Sequence, residues 1–438
     1  MKKFITILLA PALLFALSAE AKKTSPNIIY LIGDGMGIAY TSAYRYYQDN
    51  PDTAAIETTI FDEMLVGMAS SYPHDEHYNV TDSAAAATAL ATGVKTFNGA
   101  IGVDANHEPV YSLLDVAKNK RYQVGIAVTS HIVHATPAAF MAHVGSRASY
   151  DDIADQYVDL RIHGKPKADL LLGAGRQYFI RKDRNLVKEF KELGYTYEDD
   201  WLRLNSFKTI PALGLFEDSE MPSALDGTEP LRLTKMTQKA LNLLEKKPFF
   251  LMLEASQIDW CGHINDIACA MAEMHDMAET MKVIKHFIDK NPNTIFVATA
   301  DHSTGGLSMG TNNQYNWFPN VVKRIKTTSR IMPEKLLAKG DDWYAEWQLL
   351  TGLELTEIEV QNMQTMLDLA RDKKTSETIG NVQNLVLDYV NKYTSTGWTS
   401  KGHTGEDVQI FSYGKYRRSF EGAMDNTHIH DKLLKYIK

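Results

Sequence analysis

A serine follows an aspartate at the head of an alanine run, Val80-Thr81-Asp82-Ser83-Ala84-Ala85-Ala86-Ala87-Thr88-Ala89-Leu90-Ala91-Thr92-Gly93, and metal-binding residue types recur through the rest of the chain. Asp82 is a good N-cap, alanine has the highest helix propensity, and Gly93 is a stop signal. The pattern predicts a helix over 83–92 with Ser83 in its first turn. The unpaired N–H groups and positive end of such a helix favour a phosphate or a developing alkoxide. Asp34 sits in Gly33-Asp34-Gly35-Met36-Gly37, where glycines permit a tight turn beside one carboxylate; the spacing is not that of a dinucleotide fingerprint. Glu254 closes an apolar run, and Asp259 and His263 follow it four residues apart, a spacing that on one helical turn directs both at a single ion. Asp301 and His302 end another apolar run. As strand neighbours they would face opposite ways, so they share an ion only where the chain leaves the strand, which Gly305-Gly306 favours. His403 lies in the glycine-flanked Lys401-Gly402-His403-Thr404-Gly405.

Several carboxylates in one site repel unless cations neutralise them, and Asp, Glu and His suit zinc or magnesium. Two zinc ions about 4 Å apart would serve the attacking and leaving oxygens of an in-line displacement. Arg147, ending Ala142-His143-Val144-Gly145-Ser146-Arg147, would fork onto two phosphate oxygens. The chemistry these residues imply is phosphoryl transfer.

Positioning them requires a scaffold that delivers many loops to one place. Apolar runs at Asn27–Ile32, Gln123–Thr129, Ala168–Leu172, Pro248–Leu253, Thr294–Thr299 and Val408–Ser412 read as strands, and helical patterns fall around 83–92, 111–119, 185–193, 234–245 and 268–289. The alternation predicts an α/β fold, a central, mostly parallel sheet sandwiched by helices, with function at the carboxyl ends of its strands. Residues 313–400 break the alternation with polar, aromatic and helical stretches. They read as a helical insertion in one domain spanning 22–438, lying over the site entrance or a subunit interface.

The motifs resemble those of the alkaline phosphatase family. The resemblance rests on TDSAAAATALATGVKTFNGAIGVD from Thr81, IGDGMG from Ile32, HATPAAFMAHVGSR from His134 to Arg147, EASQIDWCGH from Glu254 to His263, TADH ending at His302, and HTG from His403. It implies that Ser83 is the nucleophile of a phosphomonoesterase and forms a phosphoserine. It further implies one zinc on Asp259, His263 and His403, and a second on Asp301, His302 and Asp34 with Ser83. A magnesium would lie on Asp34, Thr136 and Glu254, and Arg147 would clamp the phosphate. His134 and Trp260 stand where the best-known bacterial pattern has Asp and Lys. Both would lie near the substrate, and nitrogen at position 134 suits zinc or cobalt in the third site better than magnesium. The family also implies a homodimer acting on small phosphate monoesters at alkaline pH.

Sulfatases and phosphodiesterases of the same superfamily share the metal scaffold. A sulfatase nucleophile, however, lies in a Cys/Ser-x-Pro-x-Arg context, whereas four alanines follow Ser83. A non-catalytic phosphate binder would be expected to have lost a ligand or the serine, and none is missing. With 46 Lys and Arg against 54 Asp and Glu, the net charge of −8 disfavours a general nucleic-acid binder. Met1-Lys2-Lys3, the apolar stretch from Phe4 to Leu17 and Ala19-Glu20-Ala21 have the layout of a secretory signal cleaved near Ala21. They predict a periplasmic or secreted protein with no membrane segment after cleavage. The two cysteines, Cys261 and Cys269, would be about 12 Å apart on one helix, which predicts two free thiols.

Overall fold

The computed structural model describes residues 25–438, so the expected signal segment and its cleavage point lie outside the described residues. Ten strands form one sheet: β1 (Asn27–Gly33), β2 (Leu65–Ser70), β3 (Gln123–His131), β4 (Leu170–Ala174), β5 (Thr196–Glu198), β6 (Ala212–Leu215), β7 (Phe249–Ala255), β8 (Thr294–Ala300), β9 (Val408–Tyr413) and β10 (Gly422–Asp425). Their order is β10-β2-β9-β8-β1-β7-β3-β4-β6-β5. Only β9 runs against its neighbours, pairing antiparallel with β8 and β2; every other pairing is parallel. Strands β7 and β8 are buried along their whole length, and β1 at all but its first residue, as a parallel sheet covered by helices on both faces requires.

Register then decides what meets at the carboxyl edge. Gly33 of β1 lies opposite Ala255 of β7 and Ala300 of β8, and Glu254 lies opposite Val128 of β3. The residues that leave these strands therefore emerge side by side. Because β9 is antiparallel, the loop that enters it, carrying His403, arrives at the same edge.

The expected strands are present with ends moved by at most two residues. Strands β2, β5, β6 and β10 had no expectation. They are three to six residues long and carry too few apolar side chains in alternation for a period to stand out. Within 313–400 the chain forms helices Pro319–Val322, Met332–Ala338, Trp343–Thr351, Glu357–Lys373 and Ser376–Thr394. It gives no strand to the ten-stranded sheet; Thr396–Gly397 pairs only with Ser308–Met309.

The expectation of two free thiols is corrected: Cys261 and Cys269 form a disulfide, with Cα atoms 5.5 Å apart. The expectation assumed one continuous helix. Instead the helix Gln257–His263 ends, Asn265 adopts a left-handed φ of 60°, and Asp266 caps a new helix, Ile267–Lys290, through Ala268 and Cys269 N–H. The reversal folds the two cysteines onto each other.

Candidate active site

Ser83 opens the helix Ser83–Thr92, all ten of whose residues are buried. The alanines make this possible, because side chains of one carbon let the helix pack close against the helix Ala135–Met141. Asp82 caps it, one carboxylate oxygen accepting from Ala85 N–H at 2.9 Å, and Gly93 ends it at φ 73°. The other Asp82 oxygen accepts from Gly99 N–H at 3.0 Å and from Arg147 Nη1 at 3.0 Å. The cap of the serine helix is thus also the anchor of the arginine. On its far side Arg147 Nη2 donates to His134 Nε2 at 3.2 Å. His134 stays neutral, since burial and the Arg147 charge hold its pKa well below the ordinary histidine value, so its Nε2 lone pair accepts that bond.

Ser83 Oγ lies 3.1 Å from His302 Nε2, which is 3.2 Å from Asp301 Oδ2 and 3.5 Å from Asp34 Oδ1. Gly35 makes this proximity possible. Its φ is 70°, its N–H donates to Asp301 Oδ1 at 3.0 Å, and a Cβ there would fall 2.7 Å from Asp259 Cα.

Three groups of ligand atoms, each within 4.8 Å of one another, lie along the carboxyl edge: Asp259 with His302 and His403, Asp34 with Asp301 and His302, and Asp34 with His134 and Glu254. His263 joins the first, its Nε2 3.2 Å from both Asp259 Oδ2 and His403 Nε2. His302 and His403 stack with centroids 3.6 Å apart, so His302 stands between two of the groups. Thr136 is buried beside Glu254, whose Oε2 accepts from Ser256 at 2.7 Å and Ser130 at 3.4 Å. Trp260 stacks edge-to-face against His134 at 5.9 Å. The structure therefore brings all the expected site residues to one end of the sheet.

The donor set fits cations. His263 Nδ1 donates to Lys401 O at 2.6 Å and His403 Nδ1 to Thr81 O at 2.9 Å, leaving both Nε2 lone pairs free towards Asp259. The Thr304 hydroxyl donates to Asp259 and accepts from His302 Nδ1 at 3.3 Å, which frees the third Nε2. Both Asp34 oxygens, Asp301 Oδ2 and Glu254 Oε1 are buried with no hydrogen-bond partner. Burial, reinforced by the charges of Asp301, Asp259 and Glu254, holds Asp34 far above the usual carboxylate range. Burial first, then neighbouring carboxylates, pushes Glu254 up to about 7 and Asp301 up to about 6. Burial also opposes ionisation of Asp259, but with no cation bound a doubly protonated His263, whose own pKa the Asp259 hydrogen bond raises, outweighs it and holds that carboxyl below its usual range; a bound cation takes the place of that proton. Divalent cations between these groups supply the missing positive charge.

The motif reading did not single out the Asp82 link to Arg147 or the Thr304 bridge. Thr304 stands two residues after His302, within reach of a search for hydroxyls next to ligands. The arginine anchor carries no such signal, because 65 residues separate its partners.

A mostly parallel α/β sheet whose carboxyl edge gathers buried carboxylates and imidazoles around a serine at a helix N-terminus defines a metal-dependent hydrolase. A family model described as alkaline phosphatase matches residues 25–438. Alkaline phosphatase 3 of Bacillus subtilis (strain 168) is 45% identical over 434 residues, covering 96% of this chain and 92% of the relative. The crystal structure of a cold-active alkaline phosphatase from a psychrophilic Shewanella sp. aligns with a TM-score of 0.87 at 41% identity, covering 94% of this chain and all of that one. A variant of the Antarctic bacterium TAB5 alkaline phosphatase, with histidine replaced by aspartate and Mg bound in its M3 site, aligns with a TM-score of 0.69 at 25% identity over 94% of this chain and 98% of that one. The chain belongs to the alkaline phosphatase family and is an enzyme of that family.

Proposed function

We propose that the enzyme hydrolyses phosphate monoesters at alkaline pH through a phosphoserine on Ser83. The observation that carries this is the placement of Ser83 Oγ on the first turn of a buried helix, 3.1 Å from His302 Nε2 and beside an arginine fixed from both sides. Arg147 binds two phosphate oxygens, and Asp82 and His134 hold its guanidinium plane. Ser83 Oγ bonds to phosphorus as the ester oxygen leaves as the alcohol; water then cleaves the phosphoserine and releases inorganic phosphate. The helix N-terminus favours the charge on the serine oxygen and on the phosphate.

Asp259, His263 and His403 would hold one zinc. Asp34, Asp301 and His302, with Ser83, would hold a second. Asp34, Thr136 and Glu254 would hold magnesium, or zinc or cobalt. When bound, such ions lower the pKa of the serine and water nucleophiles and neutralise the departing oxygen. Magnesium in the M3 site of the TAB5 aspartate variant supports reading position 134 as the control on the third ion. The signal-like layout of residues 1–21 supports export; among the described residues no helix is long and apolar enough to cross a membrane. Family likeness supports a homodimer.

Trapping labelled phosphate on denatured enzyme tests the nucleophile. Wild type is expected to carry label and Ser83→Ala none; equal labelling overturns the assignment.

A further inference from the structure

Next to the ligand cluster lies a cavity of about 670 Å³ that the steps above do not use. We propose that it receives the alcohol portion of the ester, and that it selects leaving groups with an apolar body and a neutral or cationic tail over anionic ones. This rests on the reading of Ser83 as nucleophile.

Position comes first. In-line displacement places the departing oxygen across phosphorus from Ser83 Oγ. The cavity wall contains His263 and Trp260 but not Ser83, His302 or Arg147. It therefore opens at the Asp259 and His263 end of the cluster, away from the nucleophile. Its volume is in the range of sites that enclose small organic molecules.

The wall has the matching chemistry. Met221, Trp260, Ile264 and Ile331 provide an apolar surface, with the indole of Trp260 between the cavity and His134. The floor includes the Cys261–Cys269 disulfide, which ties the helix bearing Asp259 and His263 to the next one. Thr328, Arg330 and Ile331, in the turn before the helix Met332–Ala338, and Gln383 of the helix Ser376–Thr394 come from the 313–400 segment, which thus supplies one wall of the cavity.

Charge then separates the candidate occupants. Glu217 is exposed at the rim and makes no ion pair among the described residues. Glu220 is paired with Arg330 at 3.1 Å, and Asp226 is held by the hydroxyls of Thr327 and Thr328. Three carboxylates against one guanidinium leave an excess of two negative charges. A leaving group carrying a second phosphate or a carboxylate meets repulsion there, and an ammonium tail meets attraction.

The test uses metal-replete enzyme and two monoesters of matched phenols, 4-(trimethylammoniomethyl)phenyl phosphate and 4-(carboxymethyl)phenyl phosphate, with methyl phosphate as a substrate whose leaving group is too short to touch the cavity wall. Wild type is expected to favour the cationic ester by about tenfold in kcat/KM. Glu217→Lys should remove or invert that preference, and Ile331→Trp should lower kcat/KM for both aryl esters relative to methyl phosphate. Glu217 is exposed, so its variant keeps the packed core intact. Equal rates on the two aryl esters in wild type, or an unmoved ratio in Glu217→Lys, overturn the cavity assignment while phosphatase activity stands. Failure of wild type to hydrolyse any of the three overturns the parent reading instead.

Discussion

Asp82 performs two tasks that conservative substitutions separate. In Asp82→Asn one oxygen remains to cap Ala85 N–H, but an NH2 group replaces the oxygen that accepts from Gly99 N–H and Arg147 Nη1, and donor faces donor. In Asp82→Ala the cap goes as well. A hydrogen bond to a charged group contributes about 1.5–3 kcal/mol. The side chains here are 27% and 21% exposed, so solvent screening places the Arg147 link near the lower end, about 1.5 kcal/mol. Losing it lets the guanidinium leave its plane, and inorganic phosphate should then bind about tenfold more weakly in both variants. The cap adds about 1 kcal/mol of stability, lost only in Asp82→Ala. The assays are competitive inhibition by phosphate and thermal unfolding of the metal-replete enzyme. Wild-type phosphate inhibition in both variants would refute the claim that Asp82 positions the clamp, and equal melting temperatures for Asn and Ala would refute its role as cap.

Arg147→Ala should weaken phosphate binding by about 1.5–3 kcal/mol, and retained wild-type inhibition would remove it from the clamp. Replacing both His134→Asp and Trp260→Lys should tighten magnesium and slow phosphate release. Chelator-treated enzyme titrated with zinc and then magnesium decides this, since full activity from zinc alone in both proteins rules it out. In chelator-treated protein, Glu254 and Asp301 have folded pKa values raised to about 7 and about 6, above their unfolded values, so the folded state binds the extra protons. Their stabilisation should be lost as pH rises from about 4 to 7, while His302 and His403, which burial lowers to about 4, act with the opposite sign over the same window. The chelator-treated Glu254→Gln variant should therefore gain melting temperature relative to chelator-treated wild type as pH rises from about 4 to 7, and parallel profiles would contradict the raised proton affinity of Glu254. Reduction of the Cys261–Cys269 bridge should release two thiols and lower the melting temperature by about 3 °C, from an eight-residue loop and a chain of this size.

Local pattern determined a good deal about this protein. Residues 82–93 specify a capped and stopped helix because cap, propensity and stop signal are all short-range, and they place Ser83 at its N-terminus with no help from the fold. The near-continuous apolar runs of β1, β7 and β8 specify buried parallel strands, because a sheet covered on both faces hides nearly every side chain. Residue type alone named Asp34, Glu254, Asp259, His263, Asp301, His302 and His403 as candidate ligands. Tertiary structure decided how they combine. The register that sets Gly33 beside Ala255 and Ala300, and the antiparallel entry of His403, join residues hundreds of positions apart. The short strands β2, β5, β6 and β10 exist because long-range ladder partners hold them. Pairing of Cys261 with Cys269 depended on a left-handed turn at Asn265, which the spacing of the cysteines does not encode. Asp82 shows the division within one residue. Its bond to Ala85, three positions on, follows from sequence, and its bond to Arg147 exists only because the folded chain brings that loop to the helix end.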